Sequence, residues 1–139
     1  MKKLTPYEES IEISLLARDF VGAIFRGGIS SPQGPYALTS KLRPDHHIGT
    51  SSAPVTLLAR MEHLKDRVLR EGATADAYSI VRNLEQTVED IGRADRVSIG
   101  PGSRLSAEEQ SHVQRNIGES LPGMRDAVEN FRSLVKPQI

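Results

Sequence analysis

Asp45-His46-His47 is the one run of three consecutive potential metal ligands in this chain. Imidazole nitrogens and a carboxylate suit zinc, copper or nickel. Side chains at adjacent positions of an extended segment point to opposite sides, however, so one ion would need a remote third ligand. The only other histidines are His63 and His112. Solvated loop histidines are the commoner outcome, and neither a metal nor a cofactor is expected. The chain has no cysteine, which removes disulfides, thiolate zinc sites and cysteine nucleophiles from consideration.

Gly100-Pro101-Gly102-Ser103-Arg104 stands just before a helix start at Ser106. Free amides and the dipole at such a start attract anions, so Gly102, Ser103 and Arg104 form a candidate anion site for a small ligand or nucleotide. The spacing matches neither the P-loop nor the dinucleotide fingerprint, and a plain interhelical turn is the commoner reading. Leu64 to Glu85 has the outline of a helix-turn-helix, with Gly72 at the turn and Thr74 capping the second helix. That helix offers Arg82 to DNA, but also Asp76 and Glu85, which repel phosphates.

Charge weighs against nucleic acid more broadly. The 18 basic and 18 acidic residues cancel, whereas phosphate neutralisation normally demands a basic excess. From Pro54 to Arg96 there are seven basic and eight acidic residues, and from Val97 onward five of each. No Ser-His-Asp order or His-Glu-x-x-His spacing occurs. Glu8, Glu9, Glu12, Glu108 and Glu109 are accounted for by helix starts, where carboxylates complement the dipole. No catalytic residue stands out, and an enzyme is not the expected outcome.

The elements that would carry such residues are mostly helical. Hydrophobic residues make up 37% of the chain and aromatics only 4%, with no tryptophan, so the core must rest on Leu, Ile, Val and Ala. Thr5-Pro6-Tyr7-Glu8 is a capping box with proline at the first helical position. It predicts a first helix over 5–26, stopped by Gly27-Gly28 and apolar nearly all round, the pattern of a central helix. Ile11-Glu12-Ile13-Ser14-Leu15 also alternates with strand period. Residues 27–53 carry Pro32, Pro35, Pro44, Gly34 and Gly49 and read as one long Pro/Ser-rich loop, with Tyr36, Leu38, Leu42 and Ile48 available to pin it to the core.

Beyond it, Leu57, Met61, Leu64 and Val68 give a second helix over 54–71, its stripe widened by Leu58 and Leu69. Ala77, Val81, Leu84, Val88 and Ile91 give a third over 75–92. Seven-residue seams joined by a short turn predict an antiparallel helical hairpin. Ser106 and Glu109 form a second capping box, opening a helix over 107–118, followed by a fifth over 122–136 unless Pro122 merely kinks a continuous one.

The expectation is therefore one all-α domain over 1–139, a bundle of four to five helices around a central hairpin. It contains no secretory h-region or membrane span, so a cytoplasmic location is expected, with delivery by a non-classical route left open. The function that fits is a non-enzymatic protein-interaction module, an adaptor, inhibitor or regulator, working on a protein partner or as a homodimer. The long loop, through Tyr36, Leu38, Arg43, His46 and His47, is its candidate contact segment.

Overall fold

A computed structural model describes residues 3–26, 38–40, 42, 47–49, 51–72 and 76–135. Four helices dominate: α1 (Pro6–Arg26), α2 (Ala53–Glu71), α3 (Ala77–Ser98) and α4 (Ala107–Val135), with two-residue strands β1 (Leu38–Thr39) and β2 (His47–Ile48) between α1 and α2. This is the all-α bundle that the periodicity predicts. One apolar cluster draws on every element, with Phe20, Leu57, Leu84, Ile91, Ile117 and Phe131 among its fully buried members.

Both capping boxes form as read. The Thr5 amide donates to Glu8 Oε1 (2.9 Å) and the Glu8 amide to Thr5 Oγ1 (3.1 Å). Ser106 and Glu109 repeat the exchange at the same distances. Each box satisfies two of the amides that a helix start leaves without partners. α2 ends at Gly72, whose φ of 86° a side-chain-bearing residue rarely adopts, and whose amide donates to the Val68 carbonyl (2.8 Å). Thr74, the predicted cap of the next helix, lies outside the described residues.

Three boundaries differ from the pattern-based ones. The Ile11–Leu15 stretch is helix, not strand: ten residues of α1 are buried, because α2, α3 and β1 each cover part of its circumference. α3 runs six residues past the predicted 92, since Ile91, Ala94 and Ser98 continue the inward 3-4 spacing. Small side chains keep the seam but carry little hydropathy, so the pattern fades before the helix does. The predicted helices over 107–118 and 122–136 are one helix, α4, running through Pro122. Val113, Ile117, Ser120, Met124, Val128 and Phe131 stay buried in one phase across it. The ring costs one hydrogen bond to the Gly118 carbonyl, and both residues sit on the exposed face, where water can replace that bond.

The larger correction concerns the hairpin. α1 packs against α2 and α3, and α4 packs against α2 and α3, while α2 and α3 scarcely touch among the described residues. The two seams point into the shared core and are covered by α1 and α4, so α2 and α3 are diagonal partners. Arg60–Glu9 and Arg67–Leu4 contacts make α1 and α2 antiparallel. The Asn116–Ser51 bond, with Leu58 packed on Gly123, sets α4 beside α2 in the same direction. Leu69, expected to widen the α2 stripe, is 57% exposed.

The segment read as a structureless loop contributes an antiparallel pair, Leu38 opposite Ile48 and Thr39 opposite His47. Leu38 and Ile48 are buried, whereas Leu42 is exposed. The Leu42 amide donates to Glu12 Oε2 (3.2 Å), which ties the pair to α1.

Candidate functional site

The exposed surface of α1 is a narrow stripe. Tyr7, Ser14, Arg18 and Phe25 are separated by seven, four and seven residues, which at 3.6 residues per turn confines them to an arc of about 40°. Tyr7, Arg18 and Phe25 are exposed, and Ser14 is buried at the edge facing α3. On α3, Tyr78, Arg82, Gln86, Glu89, Arg93 and Arg96 are exposed at 4-4-3-4-3 spacing, a second stripe on one helix face. Between the stripes lies a polar groove of about 400 Å³, lined by Tyr7, Ser14 and Arg18 from α1 and by Arg82, Asn83 and Gln86 from α3.

The groove floor is held in place by hydrogen bonds. Asn83 Nδ2 donates to Ser10 Oγ (3.0 Å), and Ser10 Oγ donates to the Tyr7 carbonyl (2.7 Å). Gln86 Nε2 donates to Asp90 Oδ1 (3.2 Å), a carboxylate that also faces Arg93 Nη2 at 3.2 Å. No carboxylate lines the groove itself, and Arg18 and Arg82 have no ion-pair partner among the described residues. Arg60, Arg67, Arg93 and Arg132 are paired with carboxylates, whereas Arg96, Arg104, Arg115 and Arg125 share the unpaired state of Arg18 and Arg82 among the described residues. Arg132 bonds Glu85 and Glu129, and those bonds, Glu85's first, push its guanidinium further toward the charged form. Two guanidinium forks without an ion-pair partner among the described residues, beside the Tyr7 ring, can recognise; neither His63 on α2 nor His112 on α4 lies in the groove to act as a base.

The residues singled out from sequence fall differently. Tyr36, Arg43 and His46 lie outside the described residues. Leu38 is in the core at 3% exposure, and His47 pairs with Thr39 through the backbone of β2. Gly102 and Arg104 are exposed in the turn before α4. There the Ser103 amide donates to the Gly100 carbonyl (3.0 Å), and Ser103 Oγ accepts from the Leu105 amide (3.3 Å). Ser106 and Glu109 already occupy the helix start and bring negative charge to it, so the turn offers an anion little. Phe20 and Phe25, adjacent turns of one helix, separate completely: Phe20 is fully buried and Phe25 is 49% exposed. Among the described residues no group of three metal-ligating side chains comes together, and no helix is long and apolar enough to cross a membrane.

Sequence reasoning missed two features. Glu12, read as a dipole-complementing carboxylate, is fully buried, and its Oε1 has no partner. The α1/α3 face was also invisible, although Tyr7, Arg18 and Phe25 share a phase that could have been counted. Compared with protein-family models, with curated proteins and with solved structures, the chain finds no match.

Proposed function

We propose that this protein is a non-enzymatic interaction module that engages a protein partner through the α1/α3 face. One observation carries the reading: all three exposed aromatic residues among the described residues, Tyr7, Phe25 and Tyr78, fall on this face, with two guanidiniums, Arg18 and Arg82, that have no ion-pair partner among the described residues. Tyrosine and arginine dominate the energetics of protein interfaces, because each joins a broad contact surface to directional hydrogen bonding. The core closes without the exposed aromatics: its own aromatic members are Phe20 and Phe131. The rigid floor favours the same use, since a surface that is already ordered loses less entropy when it binds.

Installing a photo-crosslinking amino acid at Tyr78, and separately at Asp126 on the exposed side of α4, tests this in the cells that make the protein. A discrete cross-linked species from position 78 and none from 126 is the expected outcome; a product twice the chain mass would make the partner a second copy. Equal labelling from both positions, or none from either, would overturn the proposal.

A further inference from the structure

A second groove lies on the opposite side of α1, where the segment entering α1 and strand β2 meet α2. Its volume is about 440 Å³, within the roughly 300–1,000 Å³ usual for small-molecule sites. The floor is apolar: Leu4, Ile48 and Leu64 are buried there, with Ala59 beside them. The rim carries Lys3, Arg60 and Arg67, the two arginines paired with Glu9 and Glu71, with His63 next to them.

Arg60 is the informative residue. Its side chain is 14% exposed, and one carboxylate oxygen, Glu9 Oε1, serves it twice. Nε donates to that oxygen at 2.7 Å, while Nη2 sits 2.6 Å from it but out of line for a hydrogen bond. Nη1 is buried and bonded to nothing. Among the described residues Arg60 holds the only buried cationic nitrogens without a hydrogen-bond partner. A buried donor left unmade costs about 1–3 kcal/mol, and more on a charged group, so such atoms in a groove wall call for an acceptor. The terminal edge of a guanidinium, Nη1 with Nη2, matches the two oxygens of a carboxylate.

We propose that this groove binds a small carboxylate carrying a short apolar tail or ring. The carboxylate takes up the unbonded Nη1 and Nη2 hydrogens of Arg60, with Lys3 adding positive charge at the rim, and the tail covers Leu4, Ile48 and Leu64. Glu9 lines the same groove and contacts Arg60 on its Nε side, 2.7 Å from Nε and 2.6 Å from Nη2, so the ligand approaches from the Nη1 side. A bare inorganic anion would leave the floor uncovered, and a neutral apolar molecule would leave Arg60 as it is. The required ligand carries both features.

Nuclear magnetic resonance titration of the intact chain tests this with three probes: octanoate, octanol and inorganic phosphate. Octanoate is expected to produce saturable shifts concentrated at Ile48, Arg60, His63 and Arg67, including the Arg60 side-chain Nε–H. Octanol and phosphate should produce none that saturate. Lys3 and His63 are both exposed, so K3E combined with H63E leaves the core intact and should weaken octanoate about tenfold, equivalent to about 1.4 kcal/mol. Equal binding of octanol or phosphate would overturn the proposal, as would shifts centred on the α1/α3 face or affinity indifferent to the double substitution.

Discussion

At the scale of single residues, local chemistry could be read directly from the chain and long-range burial could not. Ser106 with Glu109, and Thr5 with Glu8, are three residues apart, and their bonds depend only on local backbone. Replacing Ser106 by Ala should cost about 1 kcal/mol in chemical denaturation, and by Gly only a few tenths, because glycine exposes the same amides to water. Leu84 is fully buried in a seam position, so Leu84→Ala should cost about 2–5 kcal/mol; a change below 1 kcal/mol would mean that the seam faces water. Glu12 and Asp90 are the opposite case. Each is a charged residue buried by segments distant in sequence, and each keeps an oxygen without a partner, Glu12 Oε1 and Asp90 Oδ2. Composition assigns such residues to the surface, since charged side chains are seldom buried. Only the arrival of β1 over α1, and of α1 over α3, shows otherwise.

Elements were legible where apolar side chains mark every turn. The α2 seam at Leu57, Met61, Leu64 and Val68 is buried as spaced. The end of α3 was lost because Ala94 and Ser98 continue the seam with almost no apolar signal. α4 looked divided because Gly118 and Pro122 are both helix-weakening residues, yet the inward phase never breaks. Its two glycines should respond differently to alanine. Gly118 is exposed and a methyl there meets nothing within 4 Å, so Gly118→Ala should stabilise by up to about 1 kcal/mol. At Gly123 a methyl would lie 3.0 Å from Leu58 Cδ2, and crowding of about 1–3 kcal/mol offsets the same gain. Gly123→Ala should therefore yield no increase in melting temperature unless Leu58 is shortened as well, and a positive coupling in that double mutant would confirm the contact. The 38–48 segment is likewise anchored. Deleting 31–47 removes Leu38 from the core and the Leu42 amide from Glu12, so the helical circular dichroism should melt at a clearly lower temperature.

For the whole molecule, fold class followed from the sequence and helix adjacency did not. A seven-residue pattern states which face of a helix is apolar; it is silent about which helix covers that face. Two seams joined by a tight turn suggested mutual packing, whereas α1 and α4 each bridge both. The proposed interaction surface was hidden for the same reason. Tyr7, Arg18 and Phe25 lie on one helix and Tyr78 and Arg82 on another, and their adjacency exists only because α1 and α3 pack together. The expected signature of that face is function lost without stability lost. Tyr78→Ala with Arg82→Ala should change unfolding free energy by no more than about 0.5 kcal/mol per site, while abolishing the cross-link from a photo-reactive residue newly installed at position 25. A double variant that retains the cross-link would assign the aromatics elsewhere.

The diagonal placement of α2 and α3 bears on the order of events during synthesis. A nascent chain that has released α1, α2 and α3 cannot close, because the seams of α2 and α3 each await α4, which follows all three in the chain. Contacts so remote in sequence form late, and until then the apolar surfaces stand open to chaperones and proteases. A chain arrested on the ribosome before Ala107 should be digested readily, and one arrested well past Val135 should resist, so that protection arrives in a single step.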